Sequence, residues 1–258
     1  MKTSQIAIQY YTLRDFTNSV EDFAETCRKV AAIGYQAVQI SGVDYEVVPP
    51  QKIKEICAEN GLTICATHES SDLVLDNPEK VVENLAALGT NATAYPFPRD
   101  IDFGSDESVA DLIRKLDHSG KVLADAGMVL TYHNHHHEFR KLNGQIILER
   151  IYHETDPKHL QGEIDTYWVQ FGGGNPAAWC RSLKNRLPLL HLKDYRVNDQ
   201  TEVEFSEIGK GNLNFREIID AAEESGCEWF IVEQDSCPGD PFDSIKMSFD
   251  YLKSLAVD

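Results

Sequence analysis

Eight short β-rich runs recur along the chain, and an amphipathic stretch with helical spacing follows each one. The runs are Ile6–Tyr10, Ala37–Ile40, Leu62–Thr67, Asn91–Ala94, Met128–Asn134, Leu160–Ile164, Leu189–His191 and Trp229–Val232. The helical stretches are roughly Ser19–Ile33, Pro50–Asn60, Pro78–Leu88, Asp106–Ala126, Gly144–His153, Pro176–Asn185, Asn214–Ser225 and Pro241–Leu255. Eight strands, each with its own helix, is the count of a (β/α)8 TIM barrel of the α/β class. Glycines at 34, 61, 89, 127 and 226 stand just before strands, where helices end. Pro50, Pro78, Pro176 and Pro241 fall in or near first helical turns, where a missing N–H costs nothing. The strands are apolar on successive residues, as in Met128-Val129-Leu130 and Ile231-Val232, which suits parallel strands covered on both faces. A doubly wound open sheet is the rival architecture, but no G-x-G-x-x-G follows the first strand. No linker or change of composition interrupts the pattern, so residues 1–258 read as a single barrel domain.

Charge narrows the function. Lys and Arg total 24 against 42 Asp and Glu, a net charge of −18, and 42% of residues are hydrophobic. A chain this acidic lacks the basic face that phosphate neutralisation needs, so nucleic acid is not its partner. The charge is compatible with a small cation. The segment Met1–Gln5 carries no leader-like apolar core or cleavage site, and no run reaches the ~18 apolar residues of a membrane span; the expected location is the cytoplasm. The six cysteines are scattered without a C-x-x-C pair, and Cys27 and Cys57 fall on apolar helix stripes as small core residues.

In a barrel of this kind chemistry sits at the C-terminal ends of the strands. There the third run ends in His68-Glu69, and the fifth in Tyr132-His133-Asn134-His135-His136-His137-Glu138. The sixth leads to Glu163-Ile164-Asp165, the seventh to His191-Leu192-Lys193-Asp194, and the eighth to Glu233-Gln234-Asp235. Imidazoles and carboxylates thus converge on one rim, a donor set suited to a divalent ion such as Mn²⁺, Mg²⁺, Co²⁺ or Zn²⁺. Each has a plainer reading: Asp165 as a helix cap, Glu233 as a surface acid, the histidine run as polar rim. Their joint placement favours a site. Gly172-Gly173-Gly174 and Gly209-Lys210-Gly211 read as βα loops; no Ser or Thr follows Lys210 to complete a P-loop, and no G-x-S-x-G elbow occurs.

These segments, together with Asp165-Thr166-Tyr167-Trp168 and Ile208-Gly209-Lys210-Gly211, resemble the sugar phosphate isomerase/epimerase family. This is the xylose isomerase-like TIM-barrel superfamily, which includes inosose dehydratases, ketose 3-epimerases and the barrel of endonuclease IV. The resemblance spans nearly the whole chain and is specific for the superfamily, much less so for substrate. It implies one divalent metal ion held by Glu138, Asp165, His191 and Glu233, with His133 or His135 competing with Glu138. It further implies Glu138 and Glu233 as acid and base, His135, Lys193 and His68 as proton relays or oxyanion partners, and His68, His133, Trp168 and Lys210 at the substrate. Relatives are often dimers or tetramers, so a homo-oligomer is implied as well. One departure is Trp168, which stands where ketose epimerases carry a substrate-contacting histidine; similar barrels with Trp there resemble subunits acting on 3-keto-glycosides.

The expected activity is metal-dependent isomerisation or epimerisation by proton transfer next to a carbonyl of a sugar, keto-sugar or cyclitol. Alternatives are a metal-dependent lyase or dehydratase acting on an inosose or 3-keto-glycoside, and a non-catalytic sugar-binding or partner subunit. An endonuclease-like phosphodiesterase fits poorly, because four of the nine histidines lie in one run.

Overall fold

A computed structural model describes residues 1–257. The expected (β/α)8 barrel is present. Its strands are β1 (Ile6–Gln9), β2 (Ala37–Ile40), β3 (Thr63–His68), β4 (Ala92–Tyr95), β5 (Val129–His133), β6 (Leu160–Asp165), β7 (Leu189–Leu192) and β8 (Trp229–Val232). Each pairs in parallel with the next, and β8 closes on β1 through Ile6↔Phe230, Ala7↔Ile231 and Ile8↔Val232. Closure leaves no unpaired barrel edge.

The helices between them are α1 (Val20–Ile33), α2 (Pro50–Glu59), α3 (Ser71–Asp76), α4 (Pro78–Leu88), α5 (Asp106–Asp125), α6 (Ile147–His153), α7 (Thr166–Phe171), α8 (Pro176–Ser182), α9 (Phe215–Glu224) and α10 (Pro241–Leu255). Local chemistry sets their ends. Ser19 caps α1 by accepting the N–H of Asp22, Asn77 and Pro78 open α4, and Asn175 and Pro176 open α8. Gly89 ends α4 in the left-handed region at φ +76°. Among the described residues, no helix is long and apolar enough to cross a membrane.

Two expectations need correction. The helix expected from Gly144 starts at Ile147. Asn143 and Gly144 have φ of +51° and +85° and turn a small hairpin between Lys141–Leu142 and Gln145–Ile146. That is the behaviour of an Asn-Gly pair. The helix expected to reach Asn185 stops at Ser182, and Asn185 itself has φ +61°. Besides that small hairpin, elements without a counterpart in the sequence reading include α3, α7, and an antiparallel hairpin pairing Asp194–Val197 with Val203–Ser206.

The core has two parts. The larger cluster lies between strands and helices and includes Phe23, Val30, Ile53, Leu85, Leu116, Phe215 and Phe249. The smaller one, Ala7, Ala37, Cys65, Ala66, Ala92, Leu189 and Ile231, is contributed by the strands alone and fills the barrel. Side chains that face one way along a strand recur every second residue. Stepping by two from this apolar layer gives Ala7 to Gln9, Ala37 to Gln39, Leu189 to His191 and Ile231 to Glu233. The interior is therefore apolar at its base and ionisable above.

One contact tests this packing. A Cβ built on Gly120, inside α5, would lie 2.0 Å from the carbonyl oxygen of His159. Helix propensity alone favours Ala over Gly by about 1 kcal/mol, but here backbone meets backbone and neither can rotate away. Gly120→Ala is expected to destabilise the protein by about 1–3 kcal/mol or more, read as a lowered urea midpoint. A midpoint that rises would show that α5 can retreat from the His159 segment at little cost.

Candidate active site

Asp165 ends β6 and begins α7. Its Oδ1 accepts the N–H of Trp168 at 3.0 Å, a helix cap, and its backbone N–H donates to Asn134 Oδ1 at 3.1 Å. Capping uses one carboxylate oxygen, Oδ1, and leaves the second for other contacts. Asp165 Oδ2 is buried, accepts no well-aligned hydrogen bond, and lies 3.0 Å from Lys193 Nζ and 3.9 Å from His133 Nε2. His191, beside Asp165 in the β6–β7 register, turns Nδ1 to Glu233 Oε2 at 2.9 Å. The ligand-type atoms of His133, Asp165, His191 and Glu233 all lie within 4.8 Å of one another, and all four residues are buried. Lys193, itself buried, completes the group. Its ammonium is 2.7 Å from Glu233 Oε2 and 3.0 Å from Asp235 Oδ1.

A second group lies deeper. His68, His133, Glu163 and His191 also bring one potential ligand atom each within 4.8 Å of the others. Here Glu163 Oε1 is 2.6 Å from Nε2 of both His68 and His191. Gln39 Nε2 donates to Glu163 Oε2 at 3.1 Å, and Gln9 Nε2 donates to Gln39 Oε1 at 2.9 Å.

The electrostatics follow from burial and pairing. Burial opposes ionisation of Glu233, but Lys193 and His191 hold its carboxyl well below the usual range. Burial works against the Lys193 ammonium, yet Asp165, Glu233 and Asp235 hold its pKa well above the ordinary value. The same contest raises His191 to about 10, with Glu163 and Glu233 prevailing over desolvation. His133 goes the other way, down to about 3, through burial and then repulsion from His191. Asp165 is pushed up to about 6 by burial, with Lys193 opposing. Adjacent titratable groups are driven apart in opposite directions, as happens where acid–base work is done.

The structure places the predicted site residues unevenly. Asp165, His191, Glu233, His133, Lys193 and His68 come together. His135 stands next to them, its ring 4.9 Å from that of His133, and burial keeps its pKa well below the ordinary histidine value. Trp168 roofs the group, with Lys193 Nζ 5.6 Å from its ring centre. Glu138 does not join. Its carboxylate accepts from Tyr132 Oη at 2.9 Å and from the His135 N–H at 3.0 Å, and it is absent from both groups above. His133 stands on the barrel side instead, because Glu138 falls in a 3-10 turn, His137–Phe139, beyond the strand end. Lys210 is exposed on its loop and forms no side-chain hydrogen bond or ion pair among the described residues. Asp194 orders that loop by accepting the N–H groups of Gly209, Gly211 and Leu213. Sequence reasoning missed Glu163 and Asp235 as site residues. The signal was available for Glu163: two residues before Asp165 on one strand, it must face the same way.

The chain belongs to the xylose isomerase-like TIM barrel family, whose sequence model matches residues 27–255. It is 28% identical over 159 residues to the inosose dehydratase of Geobacillus thermodenitrificans, covering 55% of this chain and 53% of that enzyme. The chain therefore spans about half the length of that relative. A longer match, 21% identical over 266 residues, joins it to the inosose dehydratase of Lactiplantibacillus plantarum, covering 89% of this chain and 87% of that enzyme. Among solved structures, a sugar phosphate isomerase/epimerase from Parabacteroides distasonis superposes with a TM-score of 0.84 at 22% identity, covering 98% of this chain and 95% of that one.

Glu138 yields a pH test. Burial lifts its pKa from 4.5 to about 7. The folded state then binds more protons than the unfolded state between these values. Stability is complete below the unfolded pKa and is lost as pH rises through the folded one. Gln mimics the protonated acid, donating to Tyr132 Oη and accepting from the His135 N–H. Glu138→Gln is expected to match the parent near pH 4 and to exceed it by up to about 3 kcal/mol above pH 8, measured by urea unfolding across pH. Equal stability of the two proteins at both ends would contradict the raised pKa.

Proposed function

We propose that this chain is a divalent-metal-dependent enzyme that moves a proton next to a carbonyl of a sugar, keto-sugar or cyclitol, acting as an isomerase or epimerase. The observation that carries this reading is the group His133, Asp165, His191 and Glu233. It offers two imidazoles and two carboxylates, each from a different strand end, with Asp165 Oδ2 buried and lacking a well-aligned donor. That donor set suits Mn²⁺, Co²⁺ or Zn²⁺. Charge agrees. Glu163, Asp165, Glu233 and Asp235 face only Lys193 and the imidazoles. His133, Asp165, His191 and Glu233 would hold one ion, with His133 taking the place first expected for Glu138.

When bound, a divalent ion supplies Lewis-acid polarisation of the substrate carbonyl. The protein's own groups do the rest. Glu233, kept ionised by Lys193 and His191, is the proton acceptor on the barrel side. Lys193, kept protonated by its three carboxylates, is a donor within reach of an oxygen placed above Glu233. His135 stays neutral and available as a relay. His68 and Trp168 contact the substrate from two sides, the indole offering an apolar face to a ring and an unpartnered Nε1–H. Lys210, exposed on the loop that Asp194 orders, is the remaining candidate for substrate contact.

A second reading, loss of water instead of return of the proton, is favoured by one observation: the curated relatives above are inosose dehydratases. Both readings share the first step.

The test is proton exchange in D₂O with Mn²⁺-loaded protein and a panel of ketoses, inososes and 3-keto-glycosides. The parent is expected to bind roughly one divalent ion per chain and to exchange at least one panel member. Glu233→Gln is expected to reduce exchange by about 100-fold or more. Survival of both metal content and exchange in Glu233→Gln would remove this site as the catalytic centre. Product mass separates the readings: unchanged apart from deuterium for epimerisation, lower by one water for dehydration.

A further inference from the structure

We propose that Glu163 is a positioning residue. It holds neither substrate nor ion, but fixes which nitrogen of His133 and which nitrogen of His191 face the ligand side, and it anchors His68 in the same network. The proposal rests on the functional reading above for what those nitrogens face.

Three observations carry it. The first is direction. Glu163 Oε1 is 2.6 Å from His191 Nε2 and 3.6 Å from His133 Nδ1, while the opposite atoms, His191 Nδ1 and His133 Nε2, lie towards Glu233 and Asp165. Each ring turns one nitrogen to Glu163 and the other to the group proposed to hold the ion, but the contact is close only for His191; His133 Nδ1, at 3.6 Å, makes no hydrogen bond and has Glu163 as its nearest carboxylate charge. A carboxylate behind an imidazole selects the proton-bearing nitrogen and leaves the far lone pair for a ligand.

The second is saturation. Glu163 is wholly buried on β6. His68, Gln39 and Thr131 hydrogen-bond its two oxygens, and His191 Nε2, which is hydrogen-bonded to Gln39 Oε1, stands 2.6 Å from Oε1 as a charge partner. A carboxylate has about four acceptor sites, so little capacity remains for a ligand.

The third is spacing. An ion at about 2.0–2.2 Å from each donor holds nitrogen and oxygen roughly 3 Å apart or more. The two contacts of 2.6 Å between Glu163 and the imidazoles are hydrogen-bond distances and leave no room for an ion between them. Of the two groups that share His133 and His191, the deeper one is therefore a hydrogen-bonded support and the upper one the ligand shell.

Gln9 and Gln39 extend the support downward. Gln39 Oε1 also lies 2.6 Å from His191 Nε2 and accepts from Gln9. The chain of contacts runs from β1 through β2 to β6 and β7, so the rings are braced by rigid strands and not by loops.

The test titrates metal-free protein with Co²⁺, following both affinity and the visible absorption of the bound ion. Two variants, Glu163→Gln and Glu163→Asp, are compared with the parent and with Asp165→Asn. The expected result is binding in the parent, a loss of about 10–100-fold with an altered absorption band in Glu163→Gln, and a larger loss in Asp165→Asn. Glu163→Asp keeps the charge but withdraws the oxygens, and a smaller loss is expected. Should the Gln variant fail to fold, the Asp variant decides. Parent-like affinity and spectrum in the folded Glu163 variants would overturn the positioning role while leaving the functional reading intact. Failure of the parent itself to bind Co²⁺ would instead remove the metal reading. Glu163 is then judged from ¹⁵N-histidine spectra of the metal-free protein: a single His133 tautomer in the parent that becomes mixed in Glu163→Gln supports the role, and an unchanged tautomer overturns it.

Discussion

A carboxylate cannot be buried in the middle of a closed barrel unless donors surround it. Glu163 is such a carboxylate, and much of the site is arranged around that requirement. An unpaired buried charge costs several kcal/mol even after relaxation, so β6 can carry Glu163 only because β2, β3, β5 and β7 each deliver a donor to it: Gln39, His68, Thr131 and His191. The strands do this at one height because the register is closed. His133 stands beside Glu163 on β5, and His191 stands beside Asp165 on β7. A slip of one residue in any of these pairs would turn the ionisable set towards the helices.

That register is secured from below. The barrel base is filled by small or medium apolar side chains from six of the eight strands, with Val129 of a seventh packed against them. The base excludes water beneath the polar layer, and a water-poor layer strengthens every pairing above it. The same property explains the divergent titration of neighbours: His191 between two carboxylates rises to about 10, while His133, with less help, falls to about 3. Stability and reactivity are thus divided by height along the strand, with apolar packing at the base and paired charge at the rim.

The barrel itself was legible in the sequence because it rests on local signals. Runs apolar on successive residues, glycines at helix ends and prolines in first turns act within a few residues, and the boundaries that the glycines and prolines imply fall within one or two residues of those found. The convergence of Asp165, His191 and Glu233 was legible too, since strand ends of a barrel meet by topology. Glu138 and His133 show where this reasoning stops. Both follow β5 closely, and spacing alone does not say which side of the strand end a residue takes. A 3-10 turn at His137–Phe139 folds Glu138 back onto Tyr132. Glu163 stood among the rim carboxylates but received no role, because the resemblance assigns Asp165 to that strand and nothing along the chain shows the donors that other strands bring to Glu163. Asn143-Gly144 is a different failure: the turn signal was present, and the helical period of the following residues overrode it.

The elements that escaped notice are also those that shape the mouth of the site. Tyr167 and Trp168 come from α7, and Phe205 comes from the hairpin of Asp194–Val197 with Val203–Ser206; Tyr167 packs 4.3 Å from Phe205 between ring centres. Trp168 leans on this pair and on His135 and His136. Together they form an aromatic wall above Lys193. Its positions depend on contacts between α7 and the hairpin, not on the period of either segment, so beyond Trp168, which the family resemblance put at the substrate, no pattern along the chain announces it. In the proposed function the ionisable layer above the barrel floor supplies the groups that exchange a proton, whereas the wall limits which ring can stand over them. Because the floor is built by strands and the wall by short inserted segments, the wall can be rebuilt without disturbing the pairing of Glu163. A barrel that keeps its floor can change its substrate while keeping its first chemical step.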